Sequence, residues 1–136
     1  MIKVSSGSPF EARAGYSRAV AVGDLVFVSN TAGIDYATRE LPPDARGQAL
    51  ACFTTIEAAL AAVGTSLADV VSTRVFVPDP DDWDAVIDVL GEKFRGIDPT
   101  STFTATPLAG AYKVEIEVTA FRGAGAAATR RVSLRD

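Results

Sequence analysis

Histidine is absent from this chain of 136 residues, and Cys52 is its only cysteine. These absences exclude every site in which histidine activates a serine or cysteine, and they remove the usual general base near neutral pH. A single cysteine cannot form an internal disulfide, and no histidine is available to ligate a metal beside it. We therefore expect no metal and no other cofactor. Any chemistry must come from carboxylates, hydroxyls, arginines and backbone amides.

Long apolar runs are also lacking. No segment approaches the roughly 20 apolar residues of a membrane-spanning helix, and the first residues lack the apolar core of a secretory signal. The 13 basic residues are dispersed among 17 acidic ones, giving a net charge of -4, which disfavours binding to a phosphate backbone. These features predict a soluble, cytoplasmic protein that binds neither nucleic acid nor membranes.

The length and composition are those of one globular domain, with 48% hydrophobic and 22% charged residues. We place this domain at residues 1–122. Residues 123–136 begin with a stretch rich in small residues, which predicts a flexible C-terminal tail.

Turn signals and apolar spacing divide the domain into strands and helices. Two β-rich runs around Gly23-Asp24 predict a hairpin within residues 16–31. Apolar residues at steps of three and four then predict two helices, each with one apolar stripe. The stripes comprise Ala49, Phe53, Ile56, Leu60 and Val63 in the first helix, and Trp83, Val86, Val89, Leu90 and Phe94 in the second.

Three further strands are predicted at residues 69–77, 101–106 and 113–121. In the first of them, Val71, Thr73 and Val75 should share one face, with Ser72 and Arg74 on the other. This order of elements gives an α+β fold, a mixed sheet with two helices on one face. The other face remains bare, and we expect further subunits to cover it.

The segment Val114-Glu115-Ile116-Glu117-Val118 is the strongest candidate for chemistry. Its two glutamates lie two residues apart on a strand and point to the same face, with the three apolar residues on the other. The residues alone leave two interpretations open. The glutamates either line a solvated or salt-bridged face, or one of them serves a site, since carboxylates are rarely buried unless they are paired or functional.

Four segments in order along the chain resemble the YjgF/RidA family of reactive intermediate deaminases. They are residues 14–19, residues 23–31, residues 69–71 with 75–79, and residues 114–120, of which the Glu-Ile-Glu sequence is the most specific. The resemblance implies a chorismate-mutase-like fold and a homotrimer whose sheets form a barrel. It also implies small-molecule clefts between the subunits. Deaminating members hydrolyse imines or enamines to 2-oxo acids and ammonia.

The resemblance also implies a set of site residues. Tyr16 and Ser29 match family positions that bind substrate, and Glu115 matches the glutamate that positions or activates water. Asn30 stands where the family usually has glycine, and Thr102 stands where members often carry cysteine. The family arginine that anchors the substrate carboxylate is missing. Counting back from Glu115 puts Thr100 in its position, counting from Pro99 puts Ser101 there, and neither register supplies an arginine.

Two hypotheses of function follow. The first is a deaminase-type hydrolase of C-N bonds whose substrate lacks the usual 2-carboxylate; the second is a non-catalytic trimer that binds a metabolite or has a regulatory role. Ribonuclease activity is disfavoured by the acidic charge balance and the absence of histidine. Arg18 is either an arginine at the rim of the cleft or an ordinary charge of the hairpin, and we favour the latter. Arg74 either anchors an anion in place of the missing arginine or forms an ion pair, and we favour the ion pair. Cys52 is interpreted as a small buried hydrophobe.

Overall fold

A computed structural model describes residues 1–135, in which the strands form one mixed sheet of six. Across the sheet they lie in the order β1-β2-β3-β6-β4-β5. Strands β4 and β5 are parallel, and the other neighbouring pairs are antiparallel. In chain order the strands are β1 (Ile2–Val4), β2 (Ala19–Val22), β3 (Leu25–Ala32), β4 (Val70–Phe76), β5 (Thr100–Thr104) and β6 (Glu115–Phe121).

Both predicted helices are present, as α2 (Ala45–Ala62) and α3 (Trp83–Phe94). A shorter helix, α1 (Pro9–Ala14), was not predicted, because six residues are too few to show an apolar period. Its end signals are nevertheless in the sequence. The side chain of Ser8 accepts a hydrogen bond from the N–H of Phe10, and Gly15 ends the helix at φ 74°.

The core lies between the sheet and the helices α2 and α3. Val114, Ile116 and Val118 are buried in it, whereas Glu115 and Glu117 occupy the alternate positions and are partly exposed. This confirms the prediction that the glutamates share the face opposite the apolar residues. The fold is therefore α+β, with a mixed sheet that carries its two long helices on one face.

The predicted face of Val71 is wrong. The register between β4 and β6 shifts between Val70 and Ser72, so that Val71 bulges out of the ladder and is 42% exposed. A bulge adds one residue to one strand and so interrupts the alternation of its side chains. Val71 therefore does not share the face of Thr73 and Val75. Thr73 and Val75, beyond the bulge, are buried as expected.

The sheet face opposite the helices carries an apolar patch. Val22 pairs with Leu25, and Leu25 pairs with Phe121, so these three side chains lie side by side across three strands. With Phe27, two residues further along β3, they are between 41% and 47% exposed. A contiguous patch of large apolar side chains is typical of a surface that another protein covers.

No helix in the described part of the chain is long and apolar enough to cross a membrane. Beyond β6 the chain turns through residues 124–126, where the N–H of Gly125 donates to Asp69 Oδ1 at 2.8 Å. The flexibility of residues 123–136 stays a prediction.

Gly33 sets the distance between β3 and α2. It directly follows β3, and a Cβ at this position would lie 2.5 Å from the carbonyl oxygen of Gln48 in α2. A backbone oxygen cannot move aside as a flexible side chain can. We therefore expect Gly33→Ala to lower the free energy of unfolding by about 1–3 kcal/mol, measured by denaturant unfolding.

Gly91→Ala is the matched control, because its Cβ would meet only the end of the Arg95 side chain, at 3.0 Å. Alanine also favours helix over glycine by about 1 kcal/mol, so this variant should be neutral or more stable. An equal loss of stability in both variants would contradict the role given to Gly33.

Candidate active site

Glu115 begins β6 in the centre of the sheet, between Ala32 of β3 and Phe76 of β4. Its side chain is partly buried. This burial raises the pKa of the carboxyl above its ordinary value, and the nearby positive charge of Arg18 opposes the shift. A carboxylate that can hold a proton closer to neutral pH is suited to proton transfer.

A bulge in β3 brings a second polar group to this region. The register between β3 and β6 shifts between Val28 and Thr31, so that Ser29 and Asn30 together fill the step opposite Glu117. The hydroxyl of Ser29 donates to the carbonyl oxygen of Ser17 at 2.7 Å, which fixes the bulge to the chain before β2. The proton of Ser29 therefore holds the backbone in place, while its oxygen can still accept a hydrogen bond.

Asn30 differs from Ser29 because its side-chain oxygen is unpartnered. Asn30 Oδ1 is buried and accepts no hydrogen bond from any group in residues 1–135. A buried oxygen without a donor carries a free-energy cost, and in native proteins such atoms call for a specific explanation. A ligand that brings an N–H or O–H group to Asn30 would remove this cost.

Arg18 is not the ordinary hairpin charge that the sequence favours. Its side chain is only 2% exposed. The guanidinium donates to the carbonyl oxygen of Asn30 at 2.9 Å, to Thr31 Oγ1 at 3.2 Å and to the hydroxyl of Tyr36 at 3.2 Å. Arg18 therefore ties the β3 bulge to the loop after β3, and its charge reaches Glu115.

Glu11 balances this buried charge. Its carboxylate lies 3.4 Å from Arg18 Nη2 and also accepts hydrogen bonds from Ser5 and from the backbone and side chain of Ser6. Burial alone would raise the pKa of Glu11, but the bonds from the two serines and the charge of Arg18 outweigh it and lower the pKa. The Glu11–Arg18 pair is therefore ionised and internally compensated.

Two tyrosine rings flank the same guanidinium. Its carbon lies 5.7 Å from the ring centre of Tyr16 and 5.4 Å from that of Tyr36. Tyr16 is 40% exposed, so one side of this cluster is open to a ligand. Burial raises the pKa of Tyr36, which keeps its hydroxyl protonated. Tyr16, Ser29, Asn30 and Glu115 thus belong to one polar region around Arg18.

Thr100 and Thr102 do not join this region within one chain. Strand β4 separates them from β6, with Thr100 in register with Ser72 and Glu115 in register with Phe76. At about 4.8 Å per strand and 3.3 Å per residue, Thr100 stands roughly 16 Å from Glu115. Its hydroxyl donates to the carbonyl oxygen of Val71 at 3.1 Å. The predicted site residues therefore fall into two half-sites on the same sheet.

The remaining structural interpretations agree with the geometry. Arg74 Nε lies 3.5 Å from Glu117 Oε1, an exposed ion pair on the bare sheet face. Cys52 is fully buried in α2, and both this burial and the negative charge of Glu115 raise the pKa of its thiol, so it is no nucleophile. The described residues contain no cluster of three or more potential metal ligands.

The fold and this site define a class of small α+β proteins with a carboxylate-bearing central strand. The family model described as Endoribonuclease L-PSP matches residues 6–122. The chain belongs to this family, which includes the YjgF and RidA proteins.

Individual relatives agree with this placement. A 2-iminobutanoate/2-iminopropanoate deaminase of Dermatophagoides farinae is 35% identical over 75% of this chain and 81% of its own. A YjgF/YER057c/UK114 family member from Mycobacterium tuberculosis is 38% identical, with a TM-score of 0.81 over 88% of this chain and 98% of its own. Escherichia coli TdcF with bound serine is 26% identical, with a TM-score of 0.78 over 90% of this chain and 98% of its own.

Proposed function

We propose that the chain forms a homotrimer whose intersubunit clefts hydrolyse an imine or enamine that lacks a 2-carboxylate. The observation that carries the proposal is that a partly buried Glu115 and the unpartnered Asn30 Oδ1 both belong to the region around Arg18, in a chain that has threonine at position 100. Glu115 can activate water, and Asn30 Oδ1 can bind the nitrogen of the substrate. Threonine at position 100 means that the arginine expected to anchor a carboxylate is absent.

The two half-sites support an assembly of several copies. Residues some 16 Å apart on one sheet cannot hold the same small molecule, whereas the half-site of one copy can face the other half-site of a neighbour. The apolar patch of Val22, Leu25, Phe27 and Phe121 on the same face supplies area for such a contact. In this arrangement Thr100 and Thr102 complete the cleft that contains Glu115 and Tyr16 of the next copy.

Glu115 would act as the base for water. The carboxylate takes a proton from water while the oxygen attacks the imine carbon, and it then gives this proton to the imine nitrogen, which forms the carbinolamine. Glu115 next transfers the hydroxyl proton of the carbinolamine to the same nitrogen, which leaves as ammonia as the carbonyl forms. Asn30 Oδ1 would accept a hydrogen bond from the N–H of the imine or enamine, which orients the carbon toward the water. Arg18 is held by its own partners and contributes a fixed positive charge that keeps Glu115 available as a carboxylate.

The deaminase named among the relatives acts on 2-imino acids, and here the threonine at position 100 argues for a different substrate. Arginine can hold a carboxylate with two parallel hydrogen bonds, whereas a threonine hydroxyl brings no charge. The hydroxyl of Thr100 is moreover engaged with the carbonyl oxygen of Val71. A neutral imine, such as one formed from a simple amine, has no carboxylate, so the absence of the arginine does not weaken its binding in such a cleft.

A coupled assay with two substrates tests this function. Propan-2-imine and 2-iminopropanoate are generated in situ by oxidases, and their decay is followed with and without the chain. We expect the wild type to accelerate the hydrolysis of propan-2-imine at least tenfold more than that of 2-iminopropanoate. Thr100→Arg should raise the rate with 2-iminopropanoate, because it restores a bidentate partner for the carboxylate.

Ser101→Arg tests the other register and is the matched comparison, because it adds the same side chain one residue further along β5, where alternation turns it to the other face. It should leave the rate with 2-iminopropanoate low. Strong acceleration of 2-iminopropanoate by the wild type would contradict the importance of Thr100. No acceleration of either substrate, with a ligand still bound, would favour the non-catalytic trimer.

A further inference from the structure

A groove that adjoins the Arg18 cluster but is not lined by Glu115 lies between α2, the chain after β1 and the loop after β3. Its volume is about 680 Å³. Ala51 and Ala58 line it on α2, Arg18 forms part of one wall, and Asp35 and Glu40 supply carboxylates on the loop. The cavity is of the size that small ligands or a few residues of peptide fill.

The carboxylates of this groove make it acidic. Arg18 is compensated by Glu11, so it adds no free positive charge. Asp35 accepts hydrogen bonds from the backbone N–H groups of Ala37 and Thr38, and these bonds lower its pKa. An occupant with apolar side chains and positive charge therefore suits the groove best.

The C-terminal segment of the chain has this composition. Residues 130–135 read Arg-Arg-Val-Ser-Leu-Arg, with Val132 68% exposed and Leu134 102% exposed. On an extended chain these two apolar side chains point the same way. The segment lies beyond residue 122, where the match to the family model ends.

While Arg131 is paired with Asp98, the segment does not reach the groove of its own chain. Arg131 is held at Asp98, 2.8 Å away, just before β5. The loop with Asp35 follows Ala32, the last residue of β3. Across the sheet, Ala32 lies level with Thr104, the last residue of β5, because the pairings through β6 and β4 connect the two positions. Asp98 and Ala32 are therefore three strands and six residues apart, a distance of roughly 24 Å. The four residues after Arg131 span at most about 14 Å.

We propose that residues 132–135 of one copy occupy the acidic groove of a second copy, while Arg131 stays paired with Asp98 of its own copy. Val132 and Leu134 lie against Ala51 and Ala58, and Arg135 faces Asp35 and Glu40. The contact removes two large apolar side chains from water and pairs opposite charges. This inference does not depend on the chemistry proposed for Glu115.

A fluorescent peptide of residues 128–136 tests the contact on full-length chains. In the wild type the grooves are already filled, so the peptide should bind poorly. The variant Val132→Asp with Leu134→Asp should vacate the grooves and bind the wild-type peptide at least tenfold more tightly than the wild-type chain does. Ser133→Asp adds a similar charge on the opposite side of the segment and should leave the grooves closed. Fluorescence anisotropy measures all three affinities.

A third substitution locates the peptide. Adding Ala58→Trp to the double variant fills the groove and should abolish peptide binding, whereas adding Ile87→Trp, at an exposed position of α3, should not. Equal peptide affinity for the wild type and the double variant would overturn the proposal. Absence of binding to the double variant, or binding that survives Ala58→Trp, would overturn it as well.

Discussion

Replacing Arg18 with methionine is expected to lower the free energy of unfolding by about 3–5 kcal/mol, because it leaves the Glu11 carboxylate buried without its counter-charge. The substitution also removes the donors that Asn30, Thr31 and Tyr36 now accept from. Methionine is similar in length and apolar, so lost volume contributes little. Denaturant unfolding at neutral pH measures the effect.

The double variant Glu11→Gln with Arg18→Met separates charge from packing. If the unpaired carboxylate causes most of the loss, the double variant should be more stable than Arg18→Met alone. Arg18→Lys should lie between the wild type and methionine, because lysine keeps the charge but lacks the planar fork of donors. A loss below about 1 kcal/mol in Arg18→Met would contradict the central position of this residue.

The sequence predicted most of the fold because its signals are local. Apolar alternation placed Glu115 and Glu117 on one face of β6, and the Gly23-Asp24 turn placed the hairpin. The position of Arg18 depends instead on contacts from distant parts of the chain. Its partners lie at Glu11, at the β3 bulge and at Tyr36, and no spacing along β2 indicates them.

The resemblance predicts the candidate site as a set of residues, and it does not give their geometry. The resemblance supplied Tyr16, Asn30, Glu115 and Thr100, but sequence gives no measure of the distance between strands β5 and β6. Strand β4 lies between β6 and β5 in the sheet, and this order depends on pairing between strands that are distant in the sequence. Asn30, whose side-chain oxygen is unpartnered, likewise lies in the bulge of β3, which the sequence does not mark with glycine or proline.

The ionisation of Glu115 should reduce the stability of the folded chain at neutral pH. A glutamate has a pKa of about 4.3 in the unfolded chain, and burial raises it in the folded one. Between the two values the folded state binds more protons, so stability falls as pH rises through this window. Glu115→Gln should therefore raise the melting temperature at pH 7, and this gain should disappear below pH of about 4.

Glu115→Gln is also expected to reduce the rate of imine hydrolysis by about 10²- to 10⁴-fold, the usual contribution of a general base. Glu117→Gln is its matched control. Glu117 lies on the same face two residues further along β6, but it pairs with the exposed Arg74 and should retain a rate near that of the wild type. The wild-type rate should decline as pH falls through the raised pKa of Glu115, whereas any residual rate of Glu115→Gln should lack this step.

A stable and inactive Glu115→Gln variant would show that the carboxylate serves catalysis at a cost to folding. A fully active one would assign the proton transfer to another group and leave Glu115 as a structural residue. The stability measurement keeps the two causes of inactivity apart, because a variant that melts higher at pH 7 than the wild type has not lost its rate by unfolding.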